Sequence, residues 1–196
     1  MEEIIQTISS INWGEFGLYP QSPRLVDDNN IFLAVHSMGG DIALTVLTAN
    51  DNFNAASIWA GVTAGIEDVA NFYTKYEVSE NKSEIPLETA IERKWEKINS
   101  AAKAAPFMLE DINAMNGLFY LENPAAPVVI HQGTQDPSVH AEWSVNLHEE
   151  LKKLGKESTL YLYEGNDHEL SLNNEHRVAI ERDVIFFQKH FKTKEL

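Results

Sequence analysis

The sequence predicts an α/β fold in which a parallel sheet is flanked by helices. Short apolar runs of strand length, such as residues 31–35 and 127–132, alternate with segments whose apolar residues recur every three or four positions. This alternation continues from residue 30 onward and is typical of parallel strands joined by crossover helices. The chain of 196 residues has room for one such domain, spanning residues 1–196.

The composition indicates a globular, strongly acidic protein. Hydrophobic residues make up 43% of the chain, and the formal net charge is −15. Such a surface repels phosphate groups, so we expect neither nucleic acid nor a membrane surface as a partner. The absence of cysteine excludes disulfides and thiolate chemistry. The acidic amino terminus shows no secretory signal and no apolar run near the length of a membrane span, which predicts a cytoplasmic location.

The elements follow from periodicity and from the residues that end each run. Residues 31–35, 55–62, 127–132 and 158–163 are the predicted strands. A buried helix is predicted over 41–47, and a second helix from 139 to 154 is ended by Gly155. A last helix carries an apolar stripe of Ile180, Val184, Phe187 and Phe191.

Residues 63–125 have a different character and are predicted to form a helical cap inserted between two core elements. An amphipathic helix is predicted over 84–105, with Pro86 in its first turn. The apolar positions that predict it are Leu87, Ala90, Ile91, Trp95, Ile98 and Ala102. A shorter helix is predicted around 108–115.

The segment His36-Ser37-Met38-Gly39-Gly40 lies between the first strand and the first core helix. A serine at such a tight turn is exposed above the sheet edge, as in a nucleophile elbow. The backbone N–H of Met38 lies at a helix start, where it can stabilise an oxyanion. Glycine at 39 and 40 lets the helix approach the strand closely. These features predict Ser37 as a nucleophile.

A serine nucleophile needs a base, and the base needs an orienting carboxylate. Asp136 follows the third strand and His168 follows the fourth, so both are predicted at the carboxyl edge of the sheet. The order Ser, Asp, His is the one that this kind of elbow uses. Taken singly, Ser37 is an ordinary turn residue, Asp136 a helix cap and His168 a surface loop residue.

The remaining histidines give no comparable pattern. His131 is expected to fill space at a strand end, and His176 is a distant substitute for the base. No group of His, Asp and Glu has metal-ligand spacing, so no metal and no cofactor are predicted. His140, His148 and His190 are expected on helix surfaces.

Three segments resemble the α/β-hydrolase superfamily, and within it the prolyl-oligopeptidase-type and dienelactone-hydrolase-like members. They are His36 to Gly40, His131 to Trp143, and Tyr163 to His168, and the resemblance covers about residues 28–191. It implies Ser37 as nucleophile, His168 as general base, Asp136 as its orienting acid and the Met38 N–H as one oxyanion donor. The implied reaction is acyl transfer to water, on an ester or a peptide.

The sequence departs from the family pattern at two places. Val35 stands where the elbow has a small residue, and a β-branched side chain there crowds the turn. Only about 30 residues precede the elbow, so the fold is predicted to be amino-terminally truncated. The strand that would pair with residues 31–35, a helix and the second oxyanion donor are then missing. Residues 31–35 thus become an apolar edge strand, through which a homodimer is predicted.

Two functions follow. The first is a serine hydrolase, an esterase or a serine-type peptidase acting in proteolysis, whose substrate is a small ester or a short peptide. The alternative is a catalytically impaired fragment or pseudoenzyme that acts as a binding or interaction module. Three explanations are consistent with the sequence. The chain is a piece of a longer hydrolase, a protein that pairs through its exposed edge, or a decayed relative that binds without catalysing.

Overall fold

A computed structural model of the protein describes residues 27, 29–80, 85–104, 117–123 and 126–193. Its four strands form one parallel sheet in the order β1-β2-β3-β4. They are β1 (Ile31–His36), β2 (Phe53–Trp59), β3 (Val128–Gly133) and β4 (Ser158–Tyr163). The predicted fold class is confirmed, and the four strands lie within two or three residues of the predicted ranges.

Five α-helices connect and cover the strands in the described part of the chain. They are α1 (Gly39–Ala49), α2 (Ile66–Glu80), α3 (Leu87–Ala104), α4 (Ala141–Lys153) and α5 (Glu175–Lys189). The helix predicted over 84–105 is confirmed as α3, whereas α2 was not predicted. Only Ala70 and Thr74 of α2 are buried among the side chains described, so its sequence has no continuous apolar stripe. The helix predicted around 108–115 lies outside the described residues.

Apolar side chains are buried on both faces of the sheet. On one face, Leu44 and Leu47 of α1 and Leu147 of α4 pack against strand residues that include Ile58 and Ile130. On the other face, Phe186 of α5 packs against Ala55 and Val129. Neighbouring residues of β3 therefore serve opposite layers, which explains its continuous apolar run.

The apolar stripe predicted on the last helix faces solvent for most of its length. Phe187 packs inward, with its ring centroid 4.8 Å from that of Phe32. Ala179 and Phe186 are the buried residues of α5. Ile180, Val184 and Phe191 are 52%, 49% and 53% exposed. The stripe thus correctly marks a helix but does not identify the face that packs on the sheet.

The end of the segment predicted as a cap returns to the core. A short 3₁₀ turn, Gly117–Tyr120, packs on α1, where a Cβ at Gly117 would lie 2.5 Å from Leu44 Cβ. Leu121 belongs to the main core cluster. Upstream, Val62 and Ala64 pack with Val139 and Trp143, next to Val69 and Phe72 of α2. The insertion boundaries at 63 and 125 stay a prediction.

None of the helices that the structure describes is long and apolar enough to cross a membrane.

Candidate active site

Ser37 lies at a tight turn between β1 and α1. Its backbone is left-handed, with φ at +56°, a conformation that L-residues adopt rarely. The turn is fixed by three backbone hydrogen bonds. The Ser37 N–H donates to the Trp59 carbonyl at 2.9 Å, and the Ser37 carbonyl accepts from Gly40 and Val62, each at 2.9 Å.

The two glycines after Ser37 allow close contacts that a side chain would prevent. A Cβ at Gly40 would lie 2.8 Å from Gly61 Cα, so α1 approaches the end of β2 directly. A Cβ at Gly39 would lie 3.0 Å from Val35 Cβ. Because residue 39 is a glycine, there is space for the bulky side chain of Val35. The turn forms with Val35 in place, and the crowding expected at this position is relieved by its neighbour.

Met38 occupies the N-cap position of α1, with its side chain in solvent. Main-chain N–H groups at a helix start carry partial positive charge and lack intrahelical partners. This placement is compatible with the oxyanion role predicted for the Met38 N–H, which stays a prediction.

Asp136 and His168 are hydrogen-bonded to each other. Asp136 Oδ2 lies 2.7 Å from His168 Nδ1, and the Asp136 side chain is fully buried. Its other oxygen, Oδ1, accepts from the backbone N–H groups of Ser138 and Val139 at 2.7 and 2.9 Å. The two interpretations of Asp136 are therefore compatible: one oxygen caps a turn and the other orients the imidazole.

The loops after β3 and β4 are joined by backbone contacts. Gln135 N–H donates to the Asn166 carbonyl at 2.9 Å, and Gly165 N–H donates to Thr134 Oγ1 at 2.8 Å. A Cβ at Gly133 would lie 2.3 Å from the Asp167 carbonyl oxygen. A glycine is thus required where the two loops meet, and this close contact brings together the loops that carry Asp136 and His168.

Gln132 is a member of the site that sequence reasoning missed. Its side chain is fully buried, and its amide donates to Asp136 Oδ2 at 3.0 Å. Its amide oxygen accepts from the Ser144 hydroxyl of α4 at 2.9 Å. A signal was present in the sequence, because a polar amide inside the apolar run of β3 needs a buried partner.

His36, the residue before the serine, contacts His168. The rings of His36 and His168 lie 4.5 Å apart between centroids, and His36 Nε2 lies 3.1 Å from the His168 carbonyl oxygen. The loops that carry Ser37, Asp136 and His168 therefore meet at one edge of the sheet. This juxtaposition is what the order of the three motifs predicts.

Tyr73 of α2 borders the loop after β3 that carries Asp136. Its hydroxyl donates to the Ser138 carbonyl at 3.1 Å. Burial, and then the negative charge of Asp136, raise the pKa of Tyr73 above its ordinary value. The phenol therefore stays neutral and serves as a hydrogen-bond donor next to the site. Tyr73 could not be recognised from the sequence, because α2 itself was not predicted.

His131 does more than fill space. It is fully buried, with Nδ1 2.7 Å from the Tyr163 hydroxyl and Nε2 2.8 Å from Asp183 Oδ1. Asp183 also accepts from the Ser57 hydroxyl at 2.7 Å and from the Trp59 indole at 2.8 Å. This network lies between the sheet and α5 and fixes that helix. Of the histidines predicted on helix surfaces, His140 is exposed, whereas His148 and His190 are half-buried. His176 is exposed.

The architecture and the three loops at the sheet edge are those of an α/β-hydrolase. The sequence model of the prolyl oligopeptidase family matches residues 18–194, and the chain belongs to that family. No curated protein matches the sequence.

Solved structures agree with this assignment at the level of the fold. The chain is similar to Pyrococcus horikoshii acylaminoacyl peptidase, with a TM-score of 0.64 and 21% identity over 100% of this chain and 28% of the other. Dipeptidyl peptidase 4 of Porphyromonas gingivalis gives a TM-score of 0.63 at 16% identity, over 97% of this chain and 23% of the other. Esterase B of Lactobacillus rhamnosis gives a TM-score of 0.62 at 15% identity, over 95% of this chain and 60% of the other. The chain thus spans about a quarter of the length of these peptidases.

Proposed function

We propose that the protein is a serine hydrolase that cleaves an ester or peptide bond through an acyl-enzyme. Ser37 is the nucleophile, His168 the general base and Asp136 the acid that orients it. The observation that carries this proposal is the 2.7 Å hydrogen bond between Asp136 and His168 at the sheet edge where Ser37 occupies a left-handed elbow. The family and the fold support the same class of reaction.

The proposed chemistry follows from the tautomer that Asp136 selects. Its carboxylate accepts a hydrogen bond from Nδ1–H of His168, which leaves a lone pair on Nε2. That lone pair takes the Ser37 proton as the hydroxyl oxygen attacks the carbonyl carbon of the substrate. The resulting oxyanion is stabilised by the Met38 N–H at the start of α1. His168 then gives the proton to the leaving group, and the ester bond to Ser37 is hydrolysed by water in the same way.

The substrate is proposed to be a small ester or a short peptide that enters beneath the segment 63–125. Tyr73 extends from this segment to the loop after β3, where its hydroxyl contacts the Ser138 carbonyl. The similar structures include both peptidases and an esterase, so both bond types stay within the proposal. Proteolysis and a cytoplasmic location belong to this proposal and rest on the sequence.

The test is active-site labelling. The purified chain is treated with a fluorophosphonate, and its intact mass is compared with that of Ser37→Ala and Ser138→Ala. We expect one adduct on the wild type and on Ser138→Ala, and none on Ser37→Ala. Ser138 is the control because it is an exposed serine, and its replacement by alanine keeps the backbone N–H that donates to Asp136. A folded wild-type chain without adduct would contradict the proposal.

A second candidate function is a binding module that pairs through an exposed edge. In the described sheet, β1 pairs with β2 alone, and Ala34 and His36 of β1 are exposed. An unpaired parallel strand offers a row of backbone donors and acceptors to a second copy. Sedimentation would then show a concentration-dependent homodimer that Ala34→Lys weakens, together with no fluorophosphonate adduct. A monomer at all concentrations would exclude it.

A further inference from the structure

Three potential metal ligands meet at the edge of the site. They are the imidazoles of His36 and His168 and the carboxylate of Glu169, and one ligand atom from each lies within 4.8 Å of the others. His36 Nε2 lies 3.9 Å from Glu169 Oε2. We propose that this cluster binds a transition-metal ion of the Zn²⁺ type and that the bound ion blocks His168.

His168 is oriented as a metal-binding histidine is. In such sites one imidazole nitrogen holds the metal and the other donates to a carboxylate, which fixes the ring. The Nδ1 atom of His168 is 2.7 Å from the fully buried Asp136 carboxylate. The nitrogen that remains to bind the ion is Nε2. The arrangement that orients a base therefore also orients a ligand.

The chemistry of the cluster suits zinc. Two imidazoles and one carboxylate, with water as the fourth ligand, form a recognised tetrahedral set for this ion. Bonds of about 2.0–2.2 Å place the ligand atoms about 3.3 Å apart. The Glu169 side chain is 70% exposed and rotates freely enough to close the present 3.9 Å separation. His36 exchanges its contact with the His168 carbonyl for a bond to the metal.

The inhibitory part of the proposal rests on the proposed function. The Nε2 lone pair of His168 cannot hold Zn²⁺ and accept the Ser37 proton at the same time. Binding of the metal is independent of that function, because it requires only the three ligands. Sequence spacing did not predict the site, since 132 positions separate His36 from His168.

Isothermal titration calorimetry with zinc chloride tests binding directly. We expect one site on the wild type, and a dissociation constant raised about tenfold or more in Glu169→Gln and in His36→Asn. The control is the double variant His140→Asn/Glu142→Gln, which removes an exposed His–Glu pair of similar separation, 3.7 Å. It should bind zinc as the wild type does. Equal affinity in wild type and Glu169→Gln would overturn the proposal, even if His36→Asn failed to fold.

Fluorophosphonate labelling with and without zinc separates the two proposals. Zinc should slow labelling of the wild type, and Glu169→Gln should need about tenfold more zinc for the same effect. Zinc binding at this cluster with no labelling under any condition would remove the hydrolase function and leave the metal site. Labelling that saturating zinc leaves unchanged would remove the inhibitory role.

Discussion

Asp136 fulfils two requirements with one carboxylate. Oδ1 accepts from two backbone N–H groups of the loop, while Oδ2 accepts from His168 and from Gln132. The sequence predicts the place of Asp136 because strand ends and their order can be seen in it. It does not predict Gln132, because which buried partner an amide finds depends on side-chain directions that no spacing specifies.

Gln132 is expected to position Asp136. In Gln132→Met the carboxylate loses a donor and the Ser144 hydroxyl loses its acceptor, so we expect about 1–3 kcal/mol less stability to unfolding. Misplacement of the acid should slow fluorophosphonate labelling about 10- to 100-fold. Urea unfolding and the labelling rate measure the two effects.

Ser144→Ala is the matched variant for this prediction. It breaks the same chain of hydrogen bonds one step further from Asp136 and leaves the amide donor in place. It should lower stability while changing the labelling rate much less than Gln132→Met does. Equal loss of labelling in both variants would contradict the positioning role assigned to the hydrogen bond from Gln132 to Asp136.

At the scale of elements, the loops after β3 and β4 form one unit around Gly133. In Gly133→Ala the new methyl group would lie 2.3 Å from the Asp167 carbonyl oxygen and would force the loops apart. We expect a loss of about 1–3 kcal/mol in unfolding free energy and slower labelling of Ser37. Gly65→Ala is the control, since its methyl group meets only Asp68 Oδ2 at 3.9 Å. Similar losses in both variants would contradict the assigned loop contact.

Helix α5 is fixed to the sheet through Asp183. Asp183→Ala leaves His131, Ser57 and Trp59 without their shared acceptor. We therefore expect the free energy of unfolding, measured with urea, to fall by about 3–5 kcal/mol. Glu181→Ala on the same helix removes an exposed pair with Arg177 and should cost less than about 1 kcal/mol. A small effect of Asp183→Ala would mean that apolar packing alone holds α5.

Elements were predicted to the extent that their apolar residues follow a period. The continuous runs of β1 and β3 and the spacing in α3 satisfy this condition. Helix α2 fails it, because Phe72 and Val69 pack on α4 across a small patch rather than along a stripe. The last helix carries a clear stripe, yet Phe186 rather than Ile180 or Val184 packs on the sheet. The spacing of apolar residues indicates that a helix forms, but it does not indicate which face of the helix packs against a neighbouring element.

For the whole molecule, the formal charge of −15 is the dominant long-range term. Self-repulsion opposes the compact state and is screened by salt. Raising the sodium chloride concentration from about 10 mM to about 0.5 M should increase the free energy of unfolding by about 1 kcal/mol. The melting temperature should rise by about 2–4 °C as a result. Potassium chloride should act alike, since screening depends on ionic strength. A fall in melting temperature would show that ion pairs such as Lys153–Glu150 outweigh the repulsion.

The order of the strands in the sheet is also their order along the chain. During synthesis each described strand after β1 therefore finds its neighbour in the sheet already complete. The Ser37 turn leaves the ribosome before the loops that follow β3 and β4, and it is fastened by backbone hydrogen bonds to Trp59 and Val62 once β2 has followed. Asp136 and His168 emerge later, after β3 and β4 respectively. A nascent chain can thus form the Ser37 turn before the residues proposed to activate that serine have been made.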